Sequence, residues 1–223
     1  MSRPLEILYE DEDLLVVDKP SGLLSVPTPN ASGRTVIDAL REQGREALAV
    51  HRIDRDVSGA LLLARNEDVR DALDAAFRER TVRKTYWALA QGVLQRDQGE
   101  FKDPILDEGS FARVSARGKP STTRWHVLAR RAQVTEVEIE LLTGRYNQIR
   151  LHFAHHGHPL VGERKYARGK DDPLGAKRVA LHAWKLELAH PATGKVVRVE
   201  APLPRDLREL LARAGSPQAP RGP

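Results

Sequence analysis

The hydrophobic and polar positions of this chain change period several times, and each change marks an element. Residues 5–9 and 14–17 are short apolar runs separated by the acidic turn Glu10-Asp11-Glu12-Asp13, which predicts a strand pair or one bent strand. Residues 18–27 break the pattern with Pro20, Gly22 and Pro27 and read as a loop. Over residues 35–43, Val36, Ala39 and Leu40 recur at helical spacing, with Thr35 as N-cap and Gly44 just past the end. Residues 47–53 and 59–64 predict strands that enter and leave a charged loop. Residues 67–80 form the strongest helical pattern, with Val69, Leu73, Ala76 and Phe77 on one face, Asn66 as cap and a solvated charged face opposite.

Residues 82–90 predict another strand, rich in β-favouring side chains, in which Tyr86 reads as core. Residues 95–119, with three glycines, Pro104 and many charges, read as a loop or irregular insertion. Residues 122–129 and 134–142 predict paired strands; in the second, Val137, Ile139 and Leu141 alternate with Glu136, Glu138 and Glu140, an antiparallel signature. A short helix over about residues 147–156 is stopped by Gly157 and Pro159. Residues 179–188 and 195–200 predict a hairpin, residues 205–214 a last helix with Pro204 at its start, and residues 215–223 a disordered tail. Strands outnumber helices and several pair locally. The expected fold is one mixed α+β domain over residues 1–214, with a mostly antiparallel central sheet flanked by helices and loops.

Composition narrows the function classes. With 223 residues, 40% of them hydrophobic, the chain can build a proper core. Lys and Arg outnumber Asp and Glu by 36 to 31, and the resulting charge of +5 favours an acidic partner. The lack of cysteine excludes disulfides, thiolate zinc sites and thiol nucleophiles. No run approaches the roughly 20 apolar residues of a membrane span, and the opening residues have no signal-peptide core, so the cytoplasm is the expected location.

Two stretches carry candidate chemistry. The first, HRIDRDVSGALLL from His51 to Leu63, sets Asp54 between Arg52 and Arg55, ahead of a Ser-Gly turn and a buried-strand pattern. A carboxylate at the mouth of a strand is a candidate reagent, yet such clusters equally form solvated ion-pair loops, and spacing alone does not separate the two. The second, from Leu141 to Tyr166, places Arg145 after a Thr143-Gly144 turn and ahead of the short helix. That helix is expected to pack Ile149 and Phe153 inward and to show Arg150 and some of its histidines to an anionic surface. His152 and His156 have the spacing of a helical metal pair, but the glutamate of a zinc-protease motif is missing between them, and no metal is assigned.

In order along the chain, these residues resemble the RluA-type pseudouridine synthases, which isomerise uridine to pseudouridine in structured RNA. Residues 16–24, VVDKPSGLL, are similar to the first family motif, and His51 to Gly59, HRIDRDVSG, to the catalytic signature HRLDxxTSG. Lys84-Thr85-Tyr86 matches the position of the active-site tyrosine, and Gly144 to His152, GRYNQIRLH, the segment GRxHQIRxH. Pro159-Leu160-Val161-Gly162 and Leu181-His182-Ala183 complete the series. Ile53, Val57 and Asn147 depart from the family's usual Leu, Thr and His. The first motif begins so early that a compact member without the small N-terminal RNA-binding domain is expected.

The resemblance implies a pseudouridine-synthase catalytic domain that needs no cofactor. It assigns Asp54 as nucleophile or base at the ribose, Arg145 as its ion-pair partner, and Tyr86 as the group that stacks on uracil and assists proton removal. It implies contacts to substrate or RNA from Arg52, His51, Ile149, Arg150 and Lys19, with Ile149 an apolar wall and Arg52 positioned to rearrange the RNA around the gap left by a flipped nucleotide. The expected partner is a stem-loop of ribosomal or transfer RNA, with a monomer as default and no membrane. Two other classes stay open at this stage: a catalytically silent RNA-binding protein on the same scaffold, and a hydrolase that pairs Asp54 with Asp56.

Overall fold

The computed structural model describes residues 4–27, 32–109, 111–167, 169 and 172–218. In chain order the elements are Glu6–Glu10 (β1), Leu14–Lys19 (β2), Val36–Arg41 (α1), Leu48–Ala49 (β3), Ser58–Ala64 (β4), Glu67–Glu79 (α2), Arg83–Gln91 (β5) and Gln98–Phe101 (β6). They continue with Ile105–Asp107 (β7), Ala112–Val114 (β8), Thr123–Arg130 (β9), Val134–Leu141 (β10), Gln148–His155 (α3), Leu181–Ala189 (β11), Val196–Glu200 (β12) and Arg205–Arg213 (α4). The fold class is α+β, with mixed and mostly antiparallel pairing, as the periodicities predict. Two compact units share the chain, residues 1–85 with 182–202 and residues 86–181 with 203–223.

In the first unit the strand order is β1-β2-β4-β11, with β12 on β11 and β3 on β4. β2 runs antiparallel to β4, Leu14 opposite Ala64 through Lys19 opposite Gly59. β11 runs parallel to the start of β4, His182 opposite Ser58. Every residue of β4 is buried, which is why its sequence is a continuous apolar run instead of an alternation. Val69 and Leu73 of α2 close one core with Leu14, Val16, Ala60 and Leu62 of the strands and Leu186, Leu188, Val197 and Val199 of the β11–β12 hairpin. Both helix caps expected from sequence are formed, Thr35 accepting from Asp38 N and Asn66 from Val69 N.

The second unit orders its strands β5-β10-β9-β6. β9 and β10 pair antiparallel with a bulge between Glu136 and Val137, and β6 adds to β9. The segment expected to be an irregular insertion thus contains a sheet strand, β6, and a separate hairpin, β7–β8. Short strands interrupted by glycine leave too little periodicity to read. Gly99 is required because a Cβ there would stand 2.6 Å from the Trp125 ring. The strand expected over residues 47–53 shrinks to Leu48–Ala49, since the chain leaves β4 before His51.

Helix α3 departs from its expected amphipathic form. Every residue from Gln148 to Phe153 is buried, so Arg150 does not face an anionic surface: its Nε and Nη2 donate to Glu163 at 2.6 and 2.9 Å. Within the expected tail, Gln218 N donates to the Arg130 carbonyl at 2.7 Å and the Gly215 carbonyl accepts from Arg131; residues 219–223 lie outside the described residues.

The acidic turn between β1 and β2 is a hydrogen-bonded knot. Asp11 accepts from Leu14 N at 2.7 Å, Asp13 N at 2.9 Å, Tyr9 OH at 2.5 Å and His190 Nε2 at 3.0 Å. Burial alone would raise its pKa, but the hydrogen bonds from Tyr9, Leu14, Asp13 and His190 outweigh it and bring Asp11 down to about 2. A carboxyl depressed in the folded state stabilises above its unfolded pKa and loses that contribution as pH falls through the folded value. Asp11→Ala is therefore expected to lower Tm at pH 7 by roughly 2–4 °C, as for a loss of about 1 kcal/mol. Thermal unfolding from pH 7 to 2 checks this, the gap to the parent protein narrowing between about pH 4 and 2.

Candidate active site

Asp54 lies half-buried between β3 and β4, and the loop after β2 holds the backbone on both sides of it. Ser25 Oγ donates to the Ile53 carbonyl at 2.8 Å and accepts from Ile53 N at 3.2 Å. Gly22 N donates to the Arg55 carbonyl at 2.8 Å, while Arg55 Nε donates back to the Gly22 carbonyl at 3.0 Å. Ser21 Oγ donates to the Asp56 carbonyl at 2.9 Å. Lys19, with no exposed surface, donates from Nζ to the carbonyls of Pro20, Leu23 and Arg55 at 3.0, 2.7 and 3.1 Å. A buried ammonium must recover its lost hydration from dipoles, and here carbonyls of both loops supply them. Lys19 is thus turned inward, where it buttresses the Asp54 loop.

The end of the HRIDRDVSG segment is fixed equally firmly. Ser58 Oγ lies 2.9 Å from His182 Nδ1, and His182 Nε2 lies 3.2 Å from the Ala201 carbonyl. Gly59 has φ +115°, and a Cβ there would stand 2.2 Å from the Ala183 carbonyl oxygen, so only glycine lets β11 approach β4. Asp56 is exposed, with its own carbonyl tied to Ser21.

The flanking residues divide by environment. Arg52 is exposed. His51 accepts from Leu62 N through Nε2 at 2.9 Å and packs on Phe77 with ring centroids 4.9 Å apart. Burial first, and the charge of Lys84 second, push its imidazole down to about 3, so it is neutral and braces β4. Lys84 stands 5.3 Å from the Phe77 ring centroid, and burial lowers its pKa as well.

In the second unit, Tyr86 is buried on β5 and Ile149 at the start of α3. Arg145 is half-buried, its Nε and Nη2 each 3.3 Å from the Pro120 carbonyl. The turn that presents it is organised by Gln148. Gln148 Oε1 accepts from Arg145 N at 3.0 Å and Thr143 Oγ1 at 2.8 Å, and its Nε2 donates to Thr122 O and Thr123 Oγ1, both at 3.0 Å. His152, fully buried, sets Nδ1 2.9 Å from Thr123 Oγ1 and Nε2 3.0 Å from the Asp103 carbonyl, and burial lowers its pKa. Asn147 takes the left-handed backbone at φ 52°, which Asn tolerates better than most residues, and donates from Nδ2 to Tyr166 OH at 2.9 Å.

The structure therefore gathers Lys19, His51, Arg52 and Asp54 in the first unit, and Tyr86, Arg145, Ile149 and Arg150 in the second. Sequence reasoning missed the positioning residues Ser25, Gln148 and Glu163. Gln148 and Ser25 sit inside or beside family-like motifs, where they could have been noticed; nothing local marks Glu163 as the partner of Arg150.

Comparison with known proteins identifies the class. The profile of the family described as RNA pseudouridylate synthase matches residues 13–155. The chain is 38% identical over 218 residues to ribosomal large subunit pseudouridine synthase C of Vibrio cholerae serotype O1, covering 93% of this chain and 68% of that protein. It is 38% identical over 220 residues to the uncharacterized RNA pseudouridine synthase YlyB of Bacillus subtilis, covering 93% and 72%. Its fold matches human RNA Pseudouridylate Synthase Domain Containing 4 with a TM-score of 0.79 at 24% identity, covering 96% and 95% of the two chains. The chain belongs to the RNA pseudouridine synthase family, whose members are isomerases. No helix among the described residues is long and apolar enough to cross a membrane.

Lys19→Met keeps the aliphatic stem but orphans three carbonyls. It is expected to cost about 2–4 kcal/mol, lowering Tm by roughly 4–16 °C in thermal unfolding, whereas Arg52→Gln shifts Tm little. His51 is expected to show no imidazole titration between pH 8 and 4 by nitrogen-15 NMR. Because its folded pKa lies below the unfolded value, its contribution to stability is present above about pH 6.5 and is lost as pH falls towards 3. A midpoint near 6.5 would contradict the buried environment.

Proposed function

We propose that this enzyme forms pseudouridine at specific uridines of large-subunit ribosomal RNA, with Asp54 as the reacting carboxylate. The observation that carries this reading is the clamped Asp54 loop: a half-buried acid whose neighbouring backbone is bonded from Ile53 to Asp56. A reagent held this way pays little reorganisation on reaching its reactive geometry. The name of the Vibrio relative supports the ribosomal substrate.

The isomerisation breaks the bond from ribose C1′ to uracil N1, turns the retained base, and joins C1′ to C5. The C5 proton is lost and N1 gains one, so no atom is supplied from outside. Asp54 serves as nucleophile or base at the ribose. Arg145 is proposed as the cation that keeps this acid ionised, Tyr86 as the stacking and proton-transfer group, and Ile149 as an apolar wall for uracil. The target must leave its stack to be reached, and exposed Arg52 is proposed to occupy the RNA around the gap.

Asp54→Asn is expected to bind RNA within a few-fold of the parent and to form no pseudouridine; turnover by this variant overturns the assigned role. Mapping pseudouridine in total RNA from cells with and without the gene is expected to show loss at one or a few large-subunit ribosomal positions. Loss confined to transfer RNA overturns the substrate, and no loss at all favours a silent RNA-binding role.

A further inference from the structure

Among the described residues, the exposed large apolar side chains are Phe111, Leu128 and Val196, with Phe111 at 40%. Phe111 is set against the Tyr166 ring and the Lys165 ammonium. It closes the turn between β7 and β8, where Glu108 N donates to its carbonyl at 2.8 Å and Asp107 pairs with Ala112. Its ring centroid lies 5.2 Å from that of Tyr166, at an interplanar angle of 49°. Lys165 Nζ stands among three rings, 5.5 Å from the centroid of Phe111, 4.9 Å from Tyr146 and 5.6 Å from Tyr166. It also donates to Tyr146 OH at 3.3 Å.

This assembly is continuous with the turn that presents Arg145. Tyr146 is the next residue, and Asn147 anchors Tyr166 by its hydroxyl at 2.9 Å. The local core beneath it is formed by the buried Ile105, Ala112, Leu151 and Tyr166, and exposed Phe111 lies over it against the Tyr166 ring. Of the two carboxylates at this turn, Glu108 is 3.1 Å from Arg113 Nε, which partly offsets its charge, and Asp107 Oδ1 accepts from Gly109 N at 3.0 Å. An exposed ring, fixed in place and backed by a cation, has what a single-stranded base requires: a flat apolar face and a nearby charge for its phosphate.

We propose that Phe111, backed by Lys165, is a stacking platform for an unpaired base of the RNA, at a nucleotide other than the target uridine. The inference rests on the reading of this protein as an enzyme acting on ribosomal RNA. The platform takes any base by its π face, while Lys165 attracts the adjoining phosphate. It holds the RNA beside the turn that carries Arg145.

The test measures binding of an unmodified large-subunit ribosomal RNA transcript to the full chain by filter retention, across a salt series. Phe111→Ala is expected to weaken binding roughly 5- to 150-fold with an unchanged salt slope, because a stack releases no counterions, and Phe111→Tyr to retain parent affinity. Thermal unfolding of both variants within 2 °C of the parent separates stacking from a structural loss. Affinity of Phe111→Ala within two-fold of the parent, or equal losses in Phe111→Ala and Phe111→Tyr, overturns the platform. Pseudouridine formation by the unsubstituted enzyme on the same transcript is scored separately. Its absence alongside Phe111-dependent binding removes the substrate assignment and keeps the platform, while turnover without Phe111-dependent binding does the reverse.

Discussion

A lysine ammonium buried among carbonyls is the constraint on which the first unit's candidate chemistry depends. Lys19 cannot be hydrated, so both the 19–25 loop and the Asp54 loop must turn carbonyl oxygens towards it. Once they do, Ser21, Gly22 and Ser25 fall within hydrogen-bonding reach of the backbone from Ile53 to Asp56. The result is a loop with little freedom around its acid. Asp54 stays half-buried while the backbone of its chain neighbours is hydrogen-bonded.

The second unit solves the matching problem with neutral groups. Arg145 has to be held without a buried charge behind it, and Gln148 does this by taking up hydrogen bonds on both ends of its amide. His152 and Thr123 extend the network to the Asp103 carbonyl. A fully satisfied polar network of this kind specifies one arrangement, because any displacement would leave a buried donor or acceptor unpaired. Arg150 belongs to a separate pair, locked to the buried side chain of Glu163. The cost of desolvating both ions is offset by bidentate geometry and by the backbone amides of Lys165 and Tyr166, which also donate to Glu163.

Much of the fold was legible because burial imposes periodicity. The faces of α2 and β10 and the continuous apolar run of β4 all translate into core contacts. Thr35 and Asn66 cap as their positions suggest. The losses have a common cause. β6, β7 and β8 have only three or four residues each, so their pattern is too short to stand out from a glycine-rich loop. Helix α3 is buried from Gln148 to Phe153, so Arg150 and His152, which look surface-bound in sequence, face partners far along the chain, while His155 and His156 stay exposed as expected.

Sequence by itself determined the kind of fold, most of its elements and the family to which the chain belongs, since these follow from local periodicity and from motifs of fixed spacing. It also singled out Asp54 and Arg145. Only the tertiary structure decided what the other charged and polar residues do. Lys19, His51 and Arg150 carry side chains suited to binding RNA, yet each is engaged by a partner within the fold: Lys19 by the Arg55 carbonyl, His51 by Leu62 N, Arg150 by Glu163. Whether a cation meets solvent or its own backbone depends on desolvation and on groups remote in sequence. No local pattern encodes either.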